Sequence, residues 1–170
     1  MVKLSQVNTE VFTLKVCAIQ PPYPYKPEES EDNLKWIIQE LDKCDDSIDL
    51  IALPEYSNAP SIYTKEEFPQ YVEKLTAPLL DAITKTAKRC KAIIAVNLAY
   101  PVEGKLRNTT LLYNREGEIA GNYYKQHLPK NETTIKGMDD SYTFQYREPY
   151  VVEVDGIRFA FLTCYDFYFY

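Results

Sequence analysis

Apolar positions fall into two regimes along this chain. Residues 15–20 (KVCAIQ) alternate toward a short strand, which Pro21, Pro22 and Pro24 stop. Ser30 is placed to cap a helix in which Leu34, Ile37, Ile38 and Leu41 recur at i, i+3, i+4 and i+7. Residues 48–53 are apolar apart from Asp49, which predicts a strand buried on both faces and ending at Pro54-Glu55. Pro78 is expected to open a second helix, with Leu80, Ile83, Thr84 and Ala87 on one face. Residues 91–98 (KAIIAVNL) form a third strand. This β-α-β-α-β order predicts a parallel sheet with crossover helices.

Beyond residue 108 the pattern changes to hairpins. Residues 109–113 and 119–124 read as strands joined by Asn114-Arg115-Glu116-Gly117-Glu118. Residues 150–154 and 157–163 flank Asp155-Gly156, a two-residue hairpin signal. The polar stretch 126–145 reads as a long loop, and there is no internal repeat. The chain closes on Phe167-Tyr168-Phe169-Tyr170, soon after a buried strand, where a covering element is expected. On that ground residues 1–170 are expected to be one domain, incomplete at its C-terminus.

Composition removes several function classes. The 25 acidic and 19 basic residues give a net charge of −6. An acidic chain with no Lys/Arg stripe argues against nucleic acid and anionic membrane surfaces as partners. No apolar run approaches the roughly 18 residues of a membrane span, and the N-terminus lacks a signal-peptide stretch, so a cytoplasmic protein is expected. Cys17, Cys44, Cys90 and Cys164 lie far apart and form no Cys-x-x-Cys pair, which leaves neither a zinc site nor a thioredoxin motif. His127 is the single histidine, so no His-rich metal site is available. Glycine-rich phosphate loops and a Gly-x-Ser-x-Gly elbow are also missing from the sequence.

Three residues stand at predicted strand ends, where open α/β sheets place their sites. Glu55 follows the second strand, Lys125 closes the strand before the polar loop, and Cys164 sits where the last strand runs out. A carboxylate, an ammonium and a thiol brought together suit nucleophilic acyl transfer. The carboxylate accepts the thiol proton, and the cation steadies the oxyanion that forms when sulfur attacks a carbonyl carbon. Taken singly, the same residues read as a turn glutamate, a surface lysine and a small core cysteine.

At these three segments the chain resembles the nitrilase superfamily of carbon–nitrogen hydrolases. Residues 51–55 (IALPE) look like the family's strand ending in Leu-Pro-Glu, 123–129 (YYKQHLP) like its Tyr-x-Lys-x-His-Leu block, and 162–166 (LTCYD) like its Cys-Tyr-Asp block. Further matches are 17–20 (CAIQ), Arg107-Asn108-Thr109 and 116–121 (EGEIAG). The resemblance implies an α-β-β-α sandwich of which only the N-terminal part is present. It implies Glu55 as general base, Lys125 as catalytic lysine and Cys164 as nucleophile, with Glu132 orienting the lysine and the Tyr165 N–H as a second oxyanion donor. It also implies hydrolysis of a small amide through a Cys thioester, with no metal or organic cofactor, in a full-length homodimer or larger homo-oligomer. One departure is Phe167-Tyr168-Phe169-Tyr170, where the family usually carries Arg-Phe-Pro-Glu beside the nucleophile. Two rival readings are a catalytically inactive truncated or split chain that pairs with another subunit, and a thiol redox domain built on Cys164.

Overall fold

A computed structural model of the 170-residue chain describes residues 13–144 and 150–169. Its main sheet has five strands in sequence order: β1 (Val16–Ala18), β2 (Leu50–Ala52), β3 (Ile93–Val102), β4 (Lys105–Tyr113) and β5 (Ile119–Tyr124). β1, β2 and β3 pair in parallel, as the β-α-β-α-β pattern requires, and β3–β4–β5 continue as antiparallel hairpins. β6 (Val151–Val154) and β7 (Ile157–Ala160) form a separate two-stranded sheet. Asp155 and Gly156 turn that hairpin with φ of 53° and 74°, the left-handed pair that the Asp-Gly dipeptide signals.

Side-chain alternation along β3 assigns the layers. Ile94, Val96 and Leu98 pack with Ile37 and Leu41 of α1 (Ser30–Lys43) and with Leu79 and Ile83 of α2 (Glu67–Cys90). Ile93 points the other way and packs with Leu112, Val152 and Val154, so the β6–β7 hairpin covers the opposite face. The described residues therefore build helix, sheet and sheet in that order, the mixed α/β class the sequence predicts. The hairpin sits close because β5 carries Gly121 at the contact. A Cβ there would meet Val152 Cγ2 at 2.6 Å and Cγ1 at 2.7 Å.

Four local expectations change. Ser30 does not cap α1, because a 3-10 turn at Pro27–Glu29 precedes it and its hydroxyl instead meets Tyr63 OH at 2.6 Å. Pro78 does not open α2 but lies inside it. The true start is a capping box: the Thr64 amide donates to Glu67 Oε2 (2.9 Å) and the Glu67 amide to Thr64 Oγ1 (3.2 Å). Phe68, Val72, Leu75, Leu79 and Ile83 then form the buried stripe, while Pro78 is exposed, where water can serve the carbonyl it leaves unpaired. Within 126–145 a short helix α3 (Lys130–Thr134) interrupts the expected loop, whose residue Gln145 lies outside the described residues. In β2, Ile51 is buried but Leu50 and Ala52 are half-buried.

Candidate active site

Period-two alternation brings the polar groups together. Asn97 in β3, Thr110 and Asn108 in β4, and Lys125 just past β5 all fall on the face that looks toward β6–β7. Asn97 and Thr110 are direct register partners, and Asn97 Nδ2 donates to Asn108 Oδ1 (2.7 Å) and Thr110 Oγ1 (3.1 Å). Asn97 also fixes the segment after β2. Its Oδ1 accepts the Tyr56 amide (3.0 Å) and its carbonyl accepts the Ser57 amide (2.9 Å). Leu53 N bonds Ala95 O, so four steps of this segment are set against two of β3, and the surplus bows Glu55 outward. Tyr56 takes the left-handed region at φ 57°, a strain of order 1–3 kcal/mol that the surrounding bonds hold.

Lys125 is fully buried, and its ammonium bridges two carboxylates, Glu55 Oε1 at 2.8 Å and Glu132 Oε1 at 2.6 Å. Burial pulls its pKa down, but the two carboxylates outweigh that and hold it above the ordinary lysine value. Asn108 Nδ2 joins the same pair, donating to Glu55 Oε1 (2.8 Å) and Glu132 Oε2 (3.1 Å). Tyr56 OH donates to Glu132 Oε2 at 2.7 Å. Its own ionisation is pushed far up by burial and by Glu132, so it stays a hydroxyl donor. Glu132 comes from α3, and the helix that interrupts the loop is what presents it.

Cys164 opens a 3-10 turn (Cys164–Tyr168) and is itself left-handed, at φ 49°. A cavity of about 290 Å³ is lined by Cys164 together with Glu55, Asn97, Thr110, Leu53 and Phe161. Partial burial and then the Glu55 carboxylate raise the thiol pKa, while Lys125 lowers it in part. Glu55, Lys125, Glu132 and Cys164 thus converge. Tyr165 follows in the first turn of the 3-10 helix, where amides have no partner within the helix, and its ring is exposed against Tyr168 and Phe169.

Asp166 ties this turn to the main sheet. It is fully buried and accepts from the amide of His127 (2.9 Å), Tyr123 OH (2.8 Å) and the amide of Thr163 (3.0 Å), with His127 Nδ1 also at 2.9 Å. Phe169, within the departure from the family pattern, stacks on His127 at 4.0 Å.

Sequence reasoning did not single out Asn97, Tyr56 or Lys136 and used Asn108 and Asp166 only within family matches. Asn97 had a signal, as the one polar residue in an apolar strand. Lys136, whose ammonium lies 3.4 Å from the Tyr56 ring centroid, had none. Among the described residues no group of three or more His, Cys, Asp or Glu is arranged to hold a metal. Among the described residues no helix is long and apolar enough to cross a membrane.

Comparisons with known proteins bear on the family and the fold. The human omega-amidase NIT2 is 33% identical over 81 residues, covering 46% of this chain and 28% of that protein. The chloroplastic omega-amidase of Arabidopsis thaliana is 29% identical over 128 residues, 71% of this chain and 34% of that one. The chain therefore matches about a third of the length of these curated relatives. Among solved structures, XC1258 from Xanthomonas campestris, described as a CN-hydrolase superfamily protein with an arsenic adduct in its active site, superposes with a TM-score of 0.65. It is 24% identical, covers 94% of this chain and 56% of that one, and shows the shared fold. Residues 15–170 match the carbon-nitrogen hydrolase family, and the chain belongs to it.

Proposed function

We propose that this chain carries the catalytic centre of a hydrolase of small, non-peptide amides, acting through a thioester on Cys164. The observation that carries the reading is the Lys125 ammonium held between Glu55 and Glu132 beside the cavity that Cys164 lines. Omega-amidases among the relatives support the same bond class.

In this mechanism the Cys164 thiol, raised in pKa, is not stored as thiolate and needs a base at the moment of attack. Glu55 takes the proton as sulfur bonds to the amide carbon. Lys125 and the Tyr165 N–H steady the oxyanion. As the tetrahedral intermediate collapses, the C–N bond breaks, and Glu55 returns the proton to the departing ammonia or amine. Water then attacks the thioester, giving its proton to Glu55, and the thiol leaves with that proton. Glu132 is a positioning residue, since it reaches the reaction through Lys125. No step requires a metal or organic cofactor. In the same reading the protein works in the cytoplasm as a homodimer or larger homo-oligomer.

Cys164→Ala should lower ammonia release from small amides by about 10³-fold or more while circular dichroism stays unchanged. Intact-mass measurement should find an acyl adduct on the parent protein and none on the variant. Undiminished hydrolysis by Cys164→Ala would overturn the assignment.

A further inference from the structure

The mechanism uses one thiol, and the other three meet in a separate cluster. Cys44 and Cys90 are buried in the core between the helices and the main sheet, and Cys17, half-buried, packs against the same cluster. Each is held by its backbone. Cys17 is the middle residue of β1 and stands opposite Ile51 in the parallel register with β2. Cys44 is the C-cap of α1, and its carbonyl accepts from Arg89 Nη1 (2.6 Å) and from the Cys90 thiol (3.3 Å). Cys17 and Cys44 line one cavity of about 400 Å³, together with Trp36, Glu40, Lys43 and Ile48. Burial and the neighbouring Cys17 thiol push the Cys44 pKa up to about 12, so Cys44 is stored as a thiol beside a second thiol. Two thiols at one cavity, without a metal-holding third donor among the described residues, suit thiol–disulfide exchange.

We propose that Cys17 and Cys44 form a second thiol site, a dithiol that a small disulfide such as oxidised glutathione converts into an intramolecular disulfide, separate from Cys164. Cys17, the more accessible of the two, attacks first. Its sulfur bonds to one sulfur of the oxidant, the S–S bond of the oxidant breaks, and one glutathione leaves as a thiol with the Cys17 proton. Cys44 then attacks the Cys17 sulfur, the mixed S–S bond breaks, and the second glutathione leaves with the Cys44 proton. Two protein thiols are oxidised and one glutathione disulfide is reduced. A small ionised fraction of Cys44 suffices, because a thiol of high pKa is the stronger nucleophile once ionised and its target is held beside it. The bond ties β1 to the end of α1 across 27 positions of the chain. In a reducing compartment such a bond is transient, which suits a sensor of oxidant rather than a structural staple.

The test equilibrates the full chain with mixtures of oxidised and reduced glutathione, blocks the remaining thiols with iodoacetamide and identifies the joined peptides by mass without reduction. Under the most oxidising mixtures a Cys17–Cys44 peptide pair, two hydrogen atoms lighter than its reduced parts, should exceed every other pairing by about tenfold and vanish with dithiothreitol. Cys44→Ser removes the resolving thiol and should raise the glutathione adduct on Cys17 about tenfold over the parent. Cys90→Ser should leave the Cys17–Cys44 bond as it is in the parent. Glutathione that stays on Cys17 in the parent would overturn the proposal, as would a Cys44–Cys90 bond or a dominant bond to Cys164. Full alkylation of Cys17 and Cys44 under every mixture would overturn it as well. The parent digest decides on its own should Cys44→Ser not fold. None of these readings needs amide turnover, so the dithiol stands or falls apart from the amidase reading.

Discussion

The two halves of the site are built in opposite ways. The Glu55–Lys125–Glu132 half gathers at the five-stranded sheet and α3, with Lys125 and Glu132 buried and Glu55 half-buried, and Asn97, Asn108 and Tyr56 supply hydrogen bonds between segments up to 76 residues apart. The Cys164 half stands on a two-stranded hairpin and a 3-10 turn whose aromatic residues are largely exposed: Phe167 is 69% and Tyr168 80% accessible. The buried Asp166 carboxylate, the packing of Val152 and Val154 on Ile93, Leu112 and Gly121, and the stacking of Phe169 on His127 bind that half to the rest. The contrast separates two tasks. The acid–base half must hold like charges together, which takes a dense network in low dielectric, whereas the nucleophile needs only a fixed position and open access.

Removing the centre of the dense half should have the largest effect. Lys125→Met leaves Glu55 and Glu132 facing each other without their cation, at a cost of about 3–5 kcal/mol in denaturant unfolding. Because Lys125 also lowers the Cys164 pKa, the variant thiol should titrate higher and alkylate more slowly at a given pH. A thiol that titrates as before would mean the two halves are electrostatically independent.

Cutting the tether should be smaller and local. Asp166→Ala removes the carboxylate that accepts from Tyr123 OH and from the amides of His127 and Thr163, and about 2–3 kcal/mol is expected. Hydrogen exchange should speed up across 163–169 while β3 and β4 keep their protection. A uniform loss over both halves would erase the distinction drawn above.

The smallest effect is expected at the glycine contact. Gly121→Ala puts a methyl group into Val152 and should cost about 1–3 kcal/mol as the β6–β7 hairpin shifts away from β5. Val152→Ala in the same chain should restore much of it, because the clash is with that side chain. Failure of the double variant to recover would show that the hairpin is held elsewhere.

Much of this molecule was legible from local pattern. The parallel β1–β2–β3 core, the β4–β5 hairpin and the Asp155-Gly156 turn follow from apolar runs, helical spacing and turn chemistry, each a property of neighbouring residues. Glu55, Lys125 and Cys164 could be picked out as a trio at strand ends, and the family resemblance then suggested their roles. The errors also have local causes. Pro78 looked like a helix start because its ring suits that position, but the Thr64–Glu67 box lay one stretch earlier and exposure made an interior proline tolerable. The five-residue α3 escaped notice because so short a helix has no periodicity to detect.

What the sequence by itself determined was therefore which residue types could do the chemistry and which strand ends would hold them. Tertiary structure alone decided that they meet. Asn97 and Thr110 come opposite through strand register, Asn108 joins two glutamates 77 residues apart in the chain, and Lys136 finds the face of Tyr56 across 80 positions. Such contacts depend on how the layers close and on which polar groups burial forces to find partners, and no local pattern encodes that.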